Sequence, residues 1–169
     1  QGVGTIIVES AYITKHGRGH VNQLGISEEE HLEGLGNLAR GVKKEGSSIG
    51  IRISLAGAQT SERACGEQPI GPSVLNFGRD FDVSREFDQS DVEEIILNFV
   101  HAAERAEESG MDFIEINGIE QQLLDQCCNL KLNSRIDEYG FAKIETRLKL
   151  ALEVVSAIKN RESVNIPIS

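Results

Sequence analysis

The chain is short of basic residues, of cysteine and of long apolar runs, and each shortage narrows what it can be. Its 17 Lys and Arg stand against 27 Asp and Glu, for a net charge of −10. A surface that acidic repels nucleic-acid phosphates and anionic lipid headgroups, so neither nucleic acid nor membrane is an expected partner. No apolar run approaches the ~20 residues that a bilayer-spanning helix needs. No basic-then-apolar leader signals secretion. The first residue is Gln1 rather than Met, which points to a start removed by processing or truncation. Three cysteines occur, Cys65, Cys127 and Cys128. An odd number fits free thiols in a reducing compartment, so a cytoplasmic location is the expectation. The adjacent Cys127 and Cys128 have the wrong spacing for a structural zinc or iron–sulfur site, and buried or half-buried thiols are the plain reading. His16, His20, His31 and His101 share no metal-ligand spacing, so no metal is expected and solvated surface histidines are the default. Neither a G-x-G-x-x-G turn nor a G-x-x-x-x-G-K-[ST] loop is present. Gly17-Arg18-Gly19 lacks the strand-to-helix context of a phosphate cradle, which argues against a Rossmann-type fold.

What is present is ordinary globular material. The 169 residues are 39% hydrophobic and 26% charged, enough for one domain over residues 1–169 with a real core. Short β-branched runs predict strands near residues 4–9, 48–55 and 112–117. Apolar residues at helical spacing predict helices near 28–45, 91–109 and 142–159. Ser27 with Glu30, and Ser90 with Glu93, have capping-box spacing. Val164 to Ile168 reads as the start of a fourth strand. Strand and helix alternate throughout, which implies an α/β fold of parallel strands covered by helices. The polar stretch from Ala56 to Gln89 is too long for a plain connection and marks a functional loop.

Several stretches, in order, resemble the old yellow enzyme family, the NADH:flavin oxidoreductases built on a (β/α)8 barrel with bound FMN. Gly4-Thr5-Ile6-Ile7-Val8-Glu9-Ser10 resembles the family's second strand. His16-Gly17-Arg18-Gly19 and Asn22-Gln23-Leu24-Gly25-Ile26 resemble its exit loop. Ile49 to Gly57 resembles the third strand, and Pro69-Ile70-Gly71-Pro72-Ser73 the proline-bearing loop beyond. Ile114-Glu115-Ile116-Asn117, Leu123-Leu124-Asp125-Gln126 and Asn133 to Gly140 resemble the fourth strand and its long exit. Glu145-Thr146-Arg147 resembles the start of the next helix. The resemblance therefore implies a partial TIM barrel, strands two to about five. A whole barrel takes ~250 residues, so self-association or a partner chain completing the sheet is expected.

The resemblance also implies a chemistry. Hydride passes from NADH or NADPH to FMN and on to an activated alkene, a small-molecule substrate. Two donors after strand four hold the substrate carbonyl, and a tyrosine supplies the proton. The corresponding positions here are Asn117, Glu120 and Gln122. Asn117 keeps an amide donor, Glu120 would repel a forming enolate, and Gln122 lacks an acidic proton. Arg52 stands where the family carries a glutamine facing the flavin; arginine keeps the donors and loses the acceptor. The plain alternative has Arg52 in solvent or paired with Glu9. Leu55 and Ala58 replace polar or basic residues of the pattern. Ser10 matches a small residue beside the flavin. Arg135, Asp137 and Glu138 suit a charged brace for the loop. Two readings follow: an FMN-dependent oxidoreductase with an altered site, or a non-catalytic barrel-derived scaffold serving binding or assembly.

Overall fold

The computed structural model of the chain describes residues 2–169. In chain order the elements are β1 (Thr5–Tyr12), α1 (Leu32–Lys44), β2 (Ser48–Ser54), α2 (Glu62–Cys65), β3 (Ile70–Gly71), β4 (Arg85–Glu86), α3 (Gln89–Glu108), β5 (Phe113–Ile116), α4 (Leu123–Cys128) and α5 (Ile144–Lys159). β2 lies between β1 and β5 and pairs with both in parallel. The alternating pattern is thus an α/β sheet with covering helices, as expected.

Period-two alternation gives β2 two distinct faces. Ile49, Ile51 and Ile53 are fully buried and share one core with Leu35 and Ala39 of α1, Ile95 and Phe99 of α3, and Val154 of α5. Gly50, Arg52 and Ser54 lie on the other face. There Gly50 is opposite Phe113 and Arg52 opposite Glu115. A Cβ on Gly50 would stand 2.3 Å from the Phe113 ring, so glycine makes room for the aromatic. β1 keeps register from Thr5 opposite Ser48 to Val8 opposite Ile51, then resumes with Ala11 opposite Ile53. One extra residue is therefore inserted at Glu9–Ser10. Such a bulge re-aims side chains beside it.

The expected fourth strand is shorter than its sequence suggests. Ile168 makes one isolated parallel bridge with Ile114. The Ile116 amide donates to the Ser169 carbonyl at 2.8 Å. Two carboxylates of α3 dock the approach: Glu104 accepts from Arg161 Nε at 2.7 Å and from Ser163 Oγ at 2.5 Å, and Glu107 accepts from Asn165.

Both expected capping boxes are shifted in register. The 3-10 turn Glu29–His31, which leads into α1, is capped by Glu28, whose amide donates to His31 Nδ1 at 3.1 Å. Ser27 Oγ is buried without a partner. His31 is accordingly no solvated histidine; it is half-buried, edge-on to Tyr12. α3 is capped by Asp88, which exchanges hydrogen bonds with Asp91 at 2.7 and 3.0 Å in place of the expected exchange between Ser90 and Glu93. Aspartate wins because Arg85 clasps Asp91 bidentately at 2.6 and 2.7 Å.

The long 56–88 segment has structure of its own. β3 and β4 form a two-residue parallel pair, and Phe87 is buried beyond them. Arg135 reaches across from the other long loop. Its guanidinium donates to the Phe87 carbonyl at 2.7 Å, lies 4.4 Å over the Phe87 ring, and pairs with Glu86 and Asp137. A Cβ on Gly140 would meet the Arg135 carbonyl at 2.5 Å, which fixes glycine there. Tyr139 donates to Glu153 at 2.9 Å; burial, then that bond, push its phenol up to about 12. Arg135 and Asp137 thus brace the loop, and Glu138 pairs with Lys149 of α5, so the expected charged brace has two parts. Cys65 and Cys127 are buried, Cys128 is half-buried, and all three are free. Burial raises the Cys127 and Cys128 thiols, so neither is a ready nucleophile.

Arg85 holds the Asp91 carboxyl below its ordinary value, mainly through their hydrogen bonds. A depressed folded-state value adds stability that is complete above the unfolded carboxylate range and is lost as pH falls through the lowered value. Asp91→Asn keeps an acceptor for the cap and loses the charge. It should cost about 1–2 kcal/mol at pH 7. Urea titrations should show that difference shrinking below about pH 4; a constant difference across that range would contradict this account.

Candidate functional site

Because the three strands run parallel, their exit loops gather at one end of the sheet. There a cavity of about 570 Å³ opens, lined by Glu9, Ser10, His20, Asn22, Gln23, Gln59, Phe81, Glu120 and Gln122 among others. The β1 bulge contributes Glu9 and Ser10. The β2 exit contributes Gln59, and the β5 exit contributes Glu120 and Gln122.

Of the five candidate site residues, Ser10, Glu120 and Gln122 line the cavity, and Asn117 and Arg52 reach Ser10 and Glu120 from behind it. Asn117 is 3% exposed. Its Nδ2 donates to Ser10 Oγ at 2.9 Å and, more weakly, toward Glu120 Oε2 at 3.5 Å. Its Oδ1 accepts from the Ile119 amide at 3.1 Å, a local turn that starts the exit loop. Gln122 donates to Gln59 Oε1 at 3.1 Å across the cavity wall.

Arg52 does not pair with Glu9, and it does not sit in solvent. It donates to Glu115 Oε1 at 3.0 Å and stands 3.9 Å from Glu120 Oε1. Parallel register explains the choice: Glu115 is directly opposite Arg52, whereas Glu9 lies in the bulge. Hydrogen bonding to Glu115, then the charges of Glu115, Glu120 and Glu9, hold the guanidinium above its ordinary value, against the opposing effect of burial. Arg52 Nε and Glu115 Oε2 are buried with no hydrogen-bond partner. An orphan donor and an orphan acceptor thus sit on adjacent strands.

The loop beyond Asn117 is strained. Glu120 and Gln121 adopt φ of 62° and 58°, the left-handed region that β-carbon-bearing residues avoid. Such a conformation costs about 1–3 kcal/mol per residue and persists only where neighbours enforce it. Here the Gln121 amide donates to Asp125 Oδ2 at 2.8 Å, and its carbonyl accepts from Gln126 Nε2 at 2.6 Å.

Glu115, Gln59 and Gln126 escaped the sequence reading as site residues. Glu115 could have been found from its place two residues from the end of the strand predicted near 112–117. Gln59 and Gln126 carry no spacing signal, because their roles depend on a contact between two loops distant in sequence. Among the described residues, no three His, Cys, Asp or Glu side chains gather to hold a metal ion. No helix is long and apolar enough to cross a membrane.

A parallel βα sheet with a cavity at its carboxyl ends belongs to the α/β class, in which barrels and open doubly wound sheets both bind ligands at that end. The profile of the NADH:flavin oxidoreductase / NADH oxidase family matches residues 1–169, and the chain belongs to that family. It is similar to an NADPH dehydrogenase of Clostridium acetobutylicum, 42% identical over 94% of this chain and 46% of the relative. Among solved structures it resembles morphinone reductase in complex with tetrahydroNAD, with a TM-score of 0.88 and 27% identity over 97% of this chain and 50% of that one. The old yellow enzyme homologue from Zymomonas mobilis shares the fold, with a TM-score of 0.86 at 24% identity over 91% of this chain and 46% of that one. The chain thus spans about half the length of these proteins. FMN is the family's cofactor, with NADH or NADPH as reductant.

The Arg52–Glu115 pair is testable without ligand. Arg52→Met and Glu115→Gln should each lower stability. Their double-mutant cycle in urea should give a coupling of about 1–3 kcal/mol, as expected for a charge-assisted bond away from bulk water. A coupling near zero would show that the two side chains do not hold each other.

Proposed function

We propose that residues 1–169 form one incomplete domain, strands two to about five of an FMN-dependent (β/α)8 oxidoreductase barrel, and that the inner sheet face holds the flavin. The observation that carries this is the orphan pair, Arg52 Nε and Glu115 Oε2. A flavin pyrimidine edge presents both donors and acceptors. The glutamine expected at position 52 would match it with one amide. Arg52 keeps the donor side, and Glu115 Oε2 supplies the acceptor that arginine lacks. Ser10, small and aimed by the bulge, leaves room for a planar ring. Arg52, Glu115 and Ser10 would hold the group once the Arg52 and Glu115 side chains, whose orphan atoms are buried, turn toward the cavity.

Bound FMN supplies hydride transfer between a nicotinamide, NADH or NADPH, and a small-molecule acceptor. Asn117 can orient an acceptor carbonyl only by turning its amide away from Ser10. The Glu120 carboxylate opposes negative charge developing on that oxygen. Gln122 has no acidic proton to deliver, and its amide is already bonded to Gln59. Reduction of activated alkenes is therefore slow in this chain. A second reading, a barrel-derived scaffold serving binding or assembly, is favoured by that same internal pairing of Asn117 and Gln122. The three free thiols support a cytoplasmic location.

FMN titrated into the protein should shift its visible absorption bands, and Arg52→Met should weaken that binding. Spectra identical to free flavin at every concentration would overturn the flavin reading in favour of the scaffold. In anaerobic reduction of an activated enone by NADPH, turnover should fall at least ~100-fold below that of an ordinary family member, the typical effect of one missing oxyanion donor. Turnover comparable to such a member would overturn the assignment of Asn117, Glu120 and Gln122. Combined Asn117→His, Glu120→His and Gln122→Tyr changes, in a chain extended to full barrel length, should raise the rate.

The sheet edge supports an assembly proposal. Ile6 and Ile7 on edge strand β1 are 38% and 48% exposed. They face opposite sides of the strand, so neither layer covers them. A second copy or a partner chain completing the barrel would bury both. Sedimentation at micromolar concentration should show self-association; a stable compact monomer would contradict it.

A further inference from the structure

We infer that Gln126 is the positioning residue of the cavity, a buried amide that sets the separation of the β2 and β5 exit loops. Its side chain is fully buried in α4. Oε1 accepts from the Ala58 amide at 3.0 Å. Nε2 donates to the Ala56 carbonyl at 3.0 Å and to the Gln121 carbonyl at 2.6 Å. One neutral amide thus ties two segments some 60 residues apart in sequence.

Both segments deliver cavity residues directly from these tie points. Gln59 follows Ala58, and Gln122 follows Gln121; their side chains meet at 3.1 Å. Glu120 precedes Gln121, and both hold left-handed φ values. The Gln126 bond to the Gln121 carbonyl and the Asp125 bond to its amide hold that conformation from two sides. Gly57 is fitted to the same device. It has φ +65°, and a Cβ there would lie 2.5 Å from Gln126 Oε1. The donor–acceptor order also demands an amide. A carboxylate at 126 would set an oxygen against two carbonyl oxygens, and an apolar side chain would leave all three backbone groups without a partner.

The ligand arm of this proposal rests on the flavin reading, and the tether itself does not. The test compares Gln126→Met, which keeps length and loses every bond, with wild type and with Val154→Ala, a buried change in α5 outside the cavity lining. Amide hydrogen exchange is read at Ala58, Gln59, Gln121 and Gln122, and FMN affinity by the absorbance shift. Gln126→Met should speed exchange in both loops by about tenfold or more, the factor expected when a buried group loses its hydrogen-bond partner. FMN affinity should weaken by a similar factor. Val154→Ala should lower the unfolding midpoint and leave both readouts unchanged. Loosening of one loop only, of neither, or of both with FMN affinity intact would overturn the positioning role. If the wild-type chain binds no FMN, the flavin reading fails, and the tether stands or falls on exchange and on the Gln59 and Gln122 side-chain amide resonances. If Gln126→Met does not fold, Gly57→Ala displaces Gln126 from the opposite side and is judged on the same readouts.

Discussion

The fold turns on β2 having parallel partners on both edges. Parallel pairing forces each connection to cross over the sheet, so α1 and α3 cover one face and drive Ile49, Ile51 and Ile53 into the core. The same pairing makes every strand end at one edge of the sheet. The exit loops of β1, β2 and β5 must therefore share a single end, and the cavity is what lies among them. The bulge at Glu9–Ser10, the Arg52–Glu115 cross-strand pair and the turn at Asn117 are local departures on strands already aligned for other reasons.

That division explains what the sequence could disclose. The strands and long helices were legible because apolar periodicity is local, and β2, α3 and α5 fall close to where it puts them. Helix starts were less so. Ser90 and Glu93 satisfy the capping pattern as well as Asp88 and Asp91 do, and the decision rests on Arg85, which lies outside the pattern. The fourth strand read as beginning over Val164–Ile168 does start there, but it pairs with Ile114 and Ile116 only from Pro167 onward. In the site, Ser10, Arg52, Asn117, Glu120 and Gln122 were nameable from a resemblance. Glu115 and Gln126 were not, because cross-strand register and a contact between two loops leave no trace in spacing.

Rigidity is distributed unevenly around the cavity. The long loop beyond β5 is locked at its far end by Arg135, which bonds to Phe87, Glu86 and Asp137 together. Asn133 adds bonds from its amide to the Cys127 and Tyr139 carbonyls, each at 2.8 Å. Nearer the cavity, the loop depends on side-chain amides instead, with Gln126 at its centre. Amides give direction at no charge cost, which matters where Glu9, Glu115 and Glu120 already surround one arginine. A further carboxylate there would add repulsion that Arg52 alone does not offset.

Hydrogen-bond accounting then shows where recognition can occur. Four buried side-chain polar atoms lack a partner among the described residues, and two of them are Arg52 Nε and Glu115 Oε2. The groups after β5 stand in the opposite condition. The Asn117 amide is engaged on both its oxygen and its nitrogen, and Gln122 is bonded to Gln59. A ligand gains little by competing for groups already bonded, and gains most by completing orphaned ones. The orphaned groups lie on the strand faces of β2 and β5, and the bonded ones in the loop after β5. The loop side chains turn inward, Asn117 toward Ser10 and Gln122 toward Gln59, while Asp125 and Gln126 hold the strained Gln121 between them.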